Sequence, residues 1–285
     1  MLVLLGILIV ALAVGVGYVM AHGEFALLYQ PAEFVIIWGA AVGSLVTATP
    51  WKVLKRIGHD VFAVVRPAPY GTARYLQSLR MFYDIFHEAR KNGMMSLEKD
   101  AERPAESALF QRYPEILADP KAMAFLCDTL RMAIAGGAST FDLEQMIDAD
   151  LEVLHEHNED PVRSMMTIAD ALPGLGIVAA VLGIVVAMSA LGGPPEELGY
   201  KVAAALVGTF LGVLTSYGFV APLAHAVGSR HAAELAYFRF LKAGLIAFVK
   251  GHPPLLAVEM GRRTIPHDVR PTFGEMEDAC RAGLA

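Results

Sequence analysis

LPGLGIVAAVLGIVVAMSAL, residues 172–191, runs for twenty residues without a charged side chain. A helix needs about 20 predominantly apolar residues to cross the hydrocarbon core of a bilayer, so this stretch reads as a membrane span. Working toward the C-terminus, VAAALVGTFLGVLTSYGFVAPLAHAV (202–227) is a second run of this kind, with His225 as its one side chain of the Asp, Glu, Lys, Arg or His type. Working toward the N-terminus, residues 2–21 carry no charge, and a shorter apolar run, 34–49, lies between Glu33 and Lys52. The sequence therefore predicts an all-α membrane protein with four transmembrane helices, at about 2–21, 34–50, 172–191 and 202–227.

The composition agrees. Of 285 residues 55% are hydrophobic and only 18% charged, above the apolar share of an ordinary soluble domain. No Lys or Arg occurs before Lys52. The first run lacks the basic start of a signal peptide and is longer than a typical signal-peptide core, so it reads as a retained span. Residues 1–51 then hold the first two spans, 52–169 form a large water-facing insert, 170–227 hold the other two spans, and 228–285 form a tail.

Orientation depends on where Lys and Arg fall. The 22–32 connection has none, and the 192–201 connection has only Lys201. Lys52, Lys55, Arg56 and Arg66 come after the second span; Arg230, Arg239 and Lys242 come after the fourth. Insert, tail and both termini are expected in the cytoplasm. In the insert, Leu76, Leu79, Tyr83 and Phe86 recur at helical spacing. Gly93 is a helix stop, and Ser96 reads as the N-cap of a second helix carrying Glu98 and Asp100. Pro104, Pro114 and Pro120 divide the next stretch into short helices. A helix from Lys121 ends at Gly136–Gly137, and another opens at Ser139–Thr140 and approaches the third span. The fourth span continues as a helix toward Lys250.

Other chemistries find little support. The net charge of −6 argues against nucleic-acid binding. Two cysteines, Cys127 and Cys280, form neither a disulfide framework nor a zinc site. His155 and His157 stand two apart, off the shared helix face of a metalloprotease pair. No nucleophile elbow or phosphate loop is present. The expectation is no enzyme, no metal and no cofactor.

On this reading no Asp, Glu, Lys or Arg lies inside a span. Charged side chains in a bilayer mark function, so a chain of this kind either carries no protons or borrows a carboxylate from a partner. In the fourth span Thr209, Gly212 and Ser216 share a face. The hydroxyls of Thr209 and Ser216 either line a hydrated path or hydrogen-bond a partner's carboxylate, or else bond backbone carbonyls and tie helices together. Gly39 with Gly43, Gly208 with Gly212, and Gly183 with Ala187 have the spacing that lets helices approach closely in an oligomer. Pro173 and Pro222 stand near the same ends of the third and fourth spans, where each removes a helical N–H.

Four stretches, LYQPAEFVII (28–37), NGMMSLEKD (92–100), LPGLGIVAAVLGIV (172–185) and VGTFLGVLTSYGFVAPLA (207–224), in this order across nearly the whole chain, resemble the MotA family of ring-forming flagellar stator subunits. ExbB and TolQ are more distant members of the same group. The resemblance implies a proton channel of the bacterial inner membrane that turns ion flow into torque. It implies a homo-oligomeric ring in membrane lipid around MotB, which supplies the proton-binding Asp, and contact with the rotor protein FliG. Arg90 and Glu98 match the rotor-contact charges, Pro173 and Pro222 the coupling prolines, and Thr209 a hydroxyl near the ion path. Tyr217 is a weaker match on the same helix. Ala180 stands where sodium-driven relatives tend to carry threonine, which favours protons. The alternative is an ExbB- or TolQ-like energiser of an envelope protein.

Overall fold

The computed structural model describes residues 2–66, 69–137, 139–189 and 192–281. Regular structure among these residues is helical, without a strand. The helices are α1 (Leu2–Met20), α2 (Phe25–Leu28), α3 (Pro31–Ala48), α4 (Trp51–Val64), α5 (Thr72–Asn92), α6 (Glu98–Glu102), α7 (Pro114–Leu117), α8 (Pro120–Ala135), α9 (Thr140–Met188), α10 (Pro195–Val213), α11 (Ala221–Val249), α12 (Pro254–Thr264) and α13 (Phe273–Arg281). A π-helical segment, Leu214–Val220, joins α10 to α11 without a break. Four segments are long and apolar enough to cross a membrane: Leu2–Met20, Phe25–Ala48, Thr140–Met188 and Pro195–Val249. The expected third span ended at Leu191, which lies outside the described residues.

The chain divides into two compact units. The first comprises residues 1–67 and 157–230, and so holds α1–α4, the second part of α9, α10, the π segment and the start of α11. No residue of α1 is fully buried; Val10 lies beside Gly218, and Tyr18 meets Phe25 edge-on at 5.8 Å. Two small cores form elsewhere in this unit. Ile37 and Ala41 of α3 pack with Leu172 and Ala179 of α9. Met165 of α9 packs with Ala224 and Val227 of α11, and Ile57, Val61 and Val64 of α4 lean on them. Arg56 of α4 donates to the His157 carbonyl and to Asn158 Oδ1.

The second unit comprises residues 68–156 and 231–285, and its core is aromatic. Phe86 stacks on Phe248 with centroids 4.3 Å apart and on Phe82 at 5.1 Å. Tyr75 meets Phe240 edge-on at 5.3 Å. Of the α5 residues whose spacing carried the helix expectation, Leu79 and Phe86 are fully buried here, while Leu76 and Tyr83 are half-buried; Tyr75 and Phe82, beside them, complete the face. Asp119 caps α8, accepting from the Lys121 and Ala122 N–H groups at 3.1 Å each. It also accepts from Arg74, whose guanidinium lies over Tyr237, 4.9 Å from the ring centroid. Gly136 ends α8 in the left-handed conformation, φ +66°, which favours glycine because it carries no Cβ.

One local expectation is corrected. Ser96 does not cap a helix. Its Oγ donates to the Gly93 carbonyl at 2.7 Å, and a 3₁₀ turn, Met94–Leu97, precedes α6. The helix that carries the second apolar run opens at Pro31. Proline at the first helical position needs no N–H and has its φ preset, so the helix starts three residues before the apolar run does.

Candidate functional site

The sequence-derived residues fall into two groups, one in each unit. In the first unit small residues let α9 and α10 touch at backbone distance. A Cβ added to Gly212 would stand 2.6 Å from the Leu172 carbonyl oxygen and 2.8 Å from Gly176 Cα; one on Gly183 would stand 2.7 Å from Ala205 Cβ. Real Cβ atoms do not approach so closely, so only glycine fits. The Gly208–Gly212 spacing is thus spent inside the chain. The Gly39–Gly43 spacing is not, since a Cβ at either position meets nothing within 4 Å.

Thr209 and Ala180 come to this interface. Thr209 Cα lies 3.3 Å from the position of a Gly176 Cβ, and the Ala180 N lies 3.1 Å from that of a Gly208 Cβ. Ala180 is buried and Thr209 half-buried. Tyr217 is 64% exposed and is not gathered with them.

Pro173 and Pro222 shape the helices that carry this interface. Pro173 has no N–H to give the carbonyl four residues back, that of Ala169. The buried hydroxyl of Ser216, in the π segment, donates to that same Ala169 carbonyl. A side chain from the neighbouring helix thus replaces the missing backbone bond, a device that lets proline sit in membrane helices. Of the two readings open for this hydroxyl, bonding to a backbone carbonyl is the one observed. Pro222 lies in the first turn of α11, directly after the π segment. Widening to i→i+5 bonding there relieves the clash of its ring with the preceding turn.

In the second unit Arg90 lies in the last turn of α5 and Glu98 begins α6. Between them Gly93 takes φ +86°, and Leu97, 1% exposed, anchors the 3₁₀ turn. Arg90 and Glu98 are both exposed. Neither side chain makes a hydrogen bond or ion pair among the described residues. A cation at a helix C-terminus and an anion at an N-terminus suit the helix dipole, so the fold presents opposite charges without committing them to each other.

One residue was missed. With α3 starting at Pro31, Glu33 sits in its first turn and only 6% of it is exposed. Glu33, read from sequence only as the residue flanking the second apolar run, thus belongs to the helix that carries that run. The signal was Pro31, a helix opener two residues upstream. The burial itself comes from glycines on α9 and α10.

Comparison with known proteins fits this architecture. Residues 4–93 match the family model for the motility protein A N-terminal region, and residues 119–239 match that of the MotA/TolQ/ExbB proton channel family. Motility protein A of Salmonella typhimurium is 40% identical over 282 residues, covering 99% of this chain and 96% of the relative. Motility protein A of Escherichia coli gives the same figures, 40% over 282 residues, 99% and 96%. Among solved structures, C. jejuni MotAB matches with a TM-score of 0.78 at 18% identity, over 95% of this chain and 98% of that one. The flagellar MotAB stator complex of Bacillus subtilis matches with a TM-score of 0.73 at 23% identity, over 90% and 92%. These structures share the fold, and the sequence relatives, matching end to end, place the chain in the MotA/TolQ/ExbB proton channel family, among the motility A proteins.

Proposed function

We propose that this chain is the ion-conducting stator subunit of a bacterial flagellar motor, a multi-pass protein that forms a proton channel with MotB and converts ion flow into torque. The observation that carries the reading is the 40% identity to motility protein A along essentially the whole chain. Several copies ring MotB in the inner membrane, and MotB brings the carboxylate that binds the ion. Residues 52–169 and 228–285, with both termini, face the cytoplasm, a reading supported by the Lys and Arg distribution. Each proton that crosses releases about 2.3 kcal/mol per 100 mV. That free energy acts on the α9–α10 contact, where Ala180 and Thr209 line the path and Tyr217 stands beside it. The helix breaks at Pro173 and Pro222 are where the packing changes. Arg90 and Glu98 then meet complementary charges on FliG, where uncommitted charge gives steering and specificity.

The test uses cells that depend on this chain alone. Swimming should stop with a protonophore and stay constant as external sodium is varied; sodium dependence with protonophore resistance would overturn the proton reading. Reversing both Arg90 and Glu98, as R90E with E98K, should abolish swimming while the protein still purifies with MotB. Normal swimming would remove them from the rotor contact. An ExbB- or TolQ-like energiser is the second reading, and recovery of an ExbD-like partner instead of MotB would select it.

A further inference from the structure

The Glu33 carboxyl occupies space that two missing side chains leave open. Its Oε1 lies 3.3 Å from where a Gly183 Cβ would stand, and its Oε2 lies 2.5 Å from where a Gly208 Cβ would stand. Two helices therefore contribute glycine at the points where the carboxyl enters. Ile37 and Ala41, on the same face of α3, are buried beneath it. Oε2 is buried and has no hydrogen-bond partner.

The charged and titratable groups of the surrounding elements do not neutralise it. Beyond Glu33, α3 has none. Exposed Glu24 precedes α2. Beyond Asp170 α9 has none as far as Met188. α10 brings Glu196, Glu197, Tyr200 and Lys201. Lys201 shares the face of Ala205 and Gly208, one and two turns away, but its Nζ is held by Glu197 at 3.0 Å. A buried carboxylate oxygen without a donor is costly to keep, and ionisable groups inside membrane helices mark ion pathways.

We propose that Glu33 is a proton-binding site belonging to this chain, lodged where α3, α9 and α10 pack, through which protons pass on their way to the partner's carboxylate. Oε2 takes a proton from hydronium, leaving water and a neutral acid, and gives it up again to water further along the path. The proposal rests on the proton-channel reading for its role, but not for the site itself.

The site is tested on the purified complex with MotB. Dicyclohexylcarbodiimide adds to protonated carboxyls in apolar surroundings, and mass spectrometry of peptides maps the adduct. An adduct on Glu33 that fades as pH is raised, with exposed Glu24 and Glu196 unmodified, is the expected result. An unmodified Glu33 at every pH, in a complex whose MotB acid is modified, overturns the proposal, and this arm needs no substituted protein to fold. The role is tested by swimming with E33Q and E33D, each checked for co-purification with MotB. E33Q should lose speed and E33D recover part of it. Wild-type speed in E33Q, in cells that a protonophore stops, overturns the role of Glu33 alone. Swimming that no protonophore stops overturns the proton-channel reading, and the carbodiimide adduct still reports on the site.

Discussion

Ser216 and Pro173 stand 43 residues apart in sequence, yet both serve the Ala169 carbonyl, one by failing to bond it and the other by bonding it. Replacing Ser216 with alanine strands a buried acceptor, at a cost of about 1–3 kcal/mol. In a P173A background alanine restores an N–H at position 173, and the cost of S216A should fall below about 0.5 kcal/mol. Thermal unfolding of the four combinations in detergent checks this; equal costs in both backgrounds would show that the hydroxyl acts elsewhere. Glu259 offers a pH-dependent counterpart. It accepts from Arg262 at 2.6 and 2.9 Å and from Arg263 at 2.8 Å. The hydrogen bonds from Arg262, then those from Arg263, hold its carboxyl below the usual 4.5. A depressed carboxyl contributes stability above its unfolded pKa and loses it as pH falls through the lower folded value. The gap in melting temperature between wild type and E259Q should therefore be full at neutral pH and close below about pH 4. The two thiols shift in the opposite direction. Burial pushes Cys127 up to about 11 and Cys280 up to about 12, so both remain protonated at neutral pH. Maleimide at pH 7.5 should leave them unlabelled until the protein is unfolded.

At the scale of elements, glycines with the same spacing have opposite consequences. G212A drives a Cβ into the backbone of α9, 2.6 Å from the Leu172 oxygen, and should sharply reduce the yield of folded protein. G39A and G43A meet no atom of this chain, so folded yield should be unchanged. Any loss of assembly in those variants reports contact with another chain. In the second unit a Cβ at Gly244 would stand 2.6 Å from the Phe82 ring, which is fully buried. Overpacking of this kind costs about 1–3 kcal/mol, against roughly 1 kcal/mol gained in helix propensity. G244A should lower the melting temperature, and an increase would mean the ring has room to shift. The helices themselves were readable from sequence, because long apolar runs and the Leu76–Leu79–Tyr83–Phe86 spacing leave little else to form. Gly93, Gly136 and Ser139 marked real boundaries. The features that were not readable depended on other elements. Two helices distant in sequence bury Glu33. The π segment answers a proline that lies beyond it. The use of one GxxxG inside the chain and not the other is decided by tertiary packing, which local spacing does not encode.

On the scale of the whole molecule, the two units rely on different physics. The second is held by an aromatic core and capped helices, as a soluble domain would be. The first has small cores and tight backbone contacts, as expected where lipid removes the hydrophobic drive between helices. Of the residues that the family resemblance singled out, Thr209 and Ala180 share an interface, the two prolines flank it through Ser216 and the π segment, and Arg90 and Glu98 lie free in the other unit. Sequence spacing did not show this grouping, because it arises from how the helices pack.

The first helix, Leu2–Met20, finds little shelter in its own chain: none of its nineteen residues is fully buried. Its length of about 28 Å is close to the roughly 30 Å of a bilayer's oily interior. With Val10 against the π segment and Tyr18 against Phe25 to hold it, acyl-chain thickness bears on how upright it stands. Reconstitution into short-chain lipids should tilt α1 first and leave α9 and α10 in register, so that bilayer composition becomes a control on this helix alone.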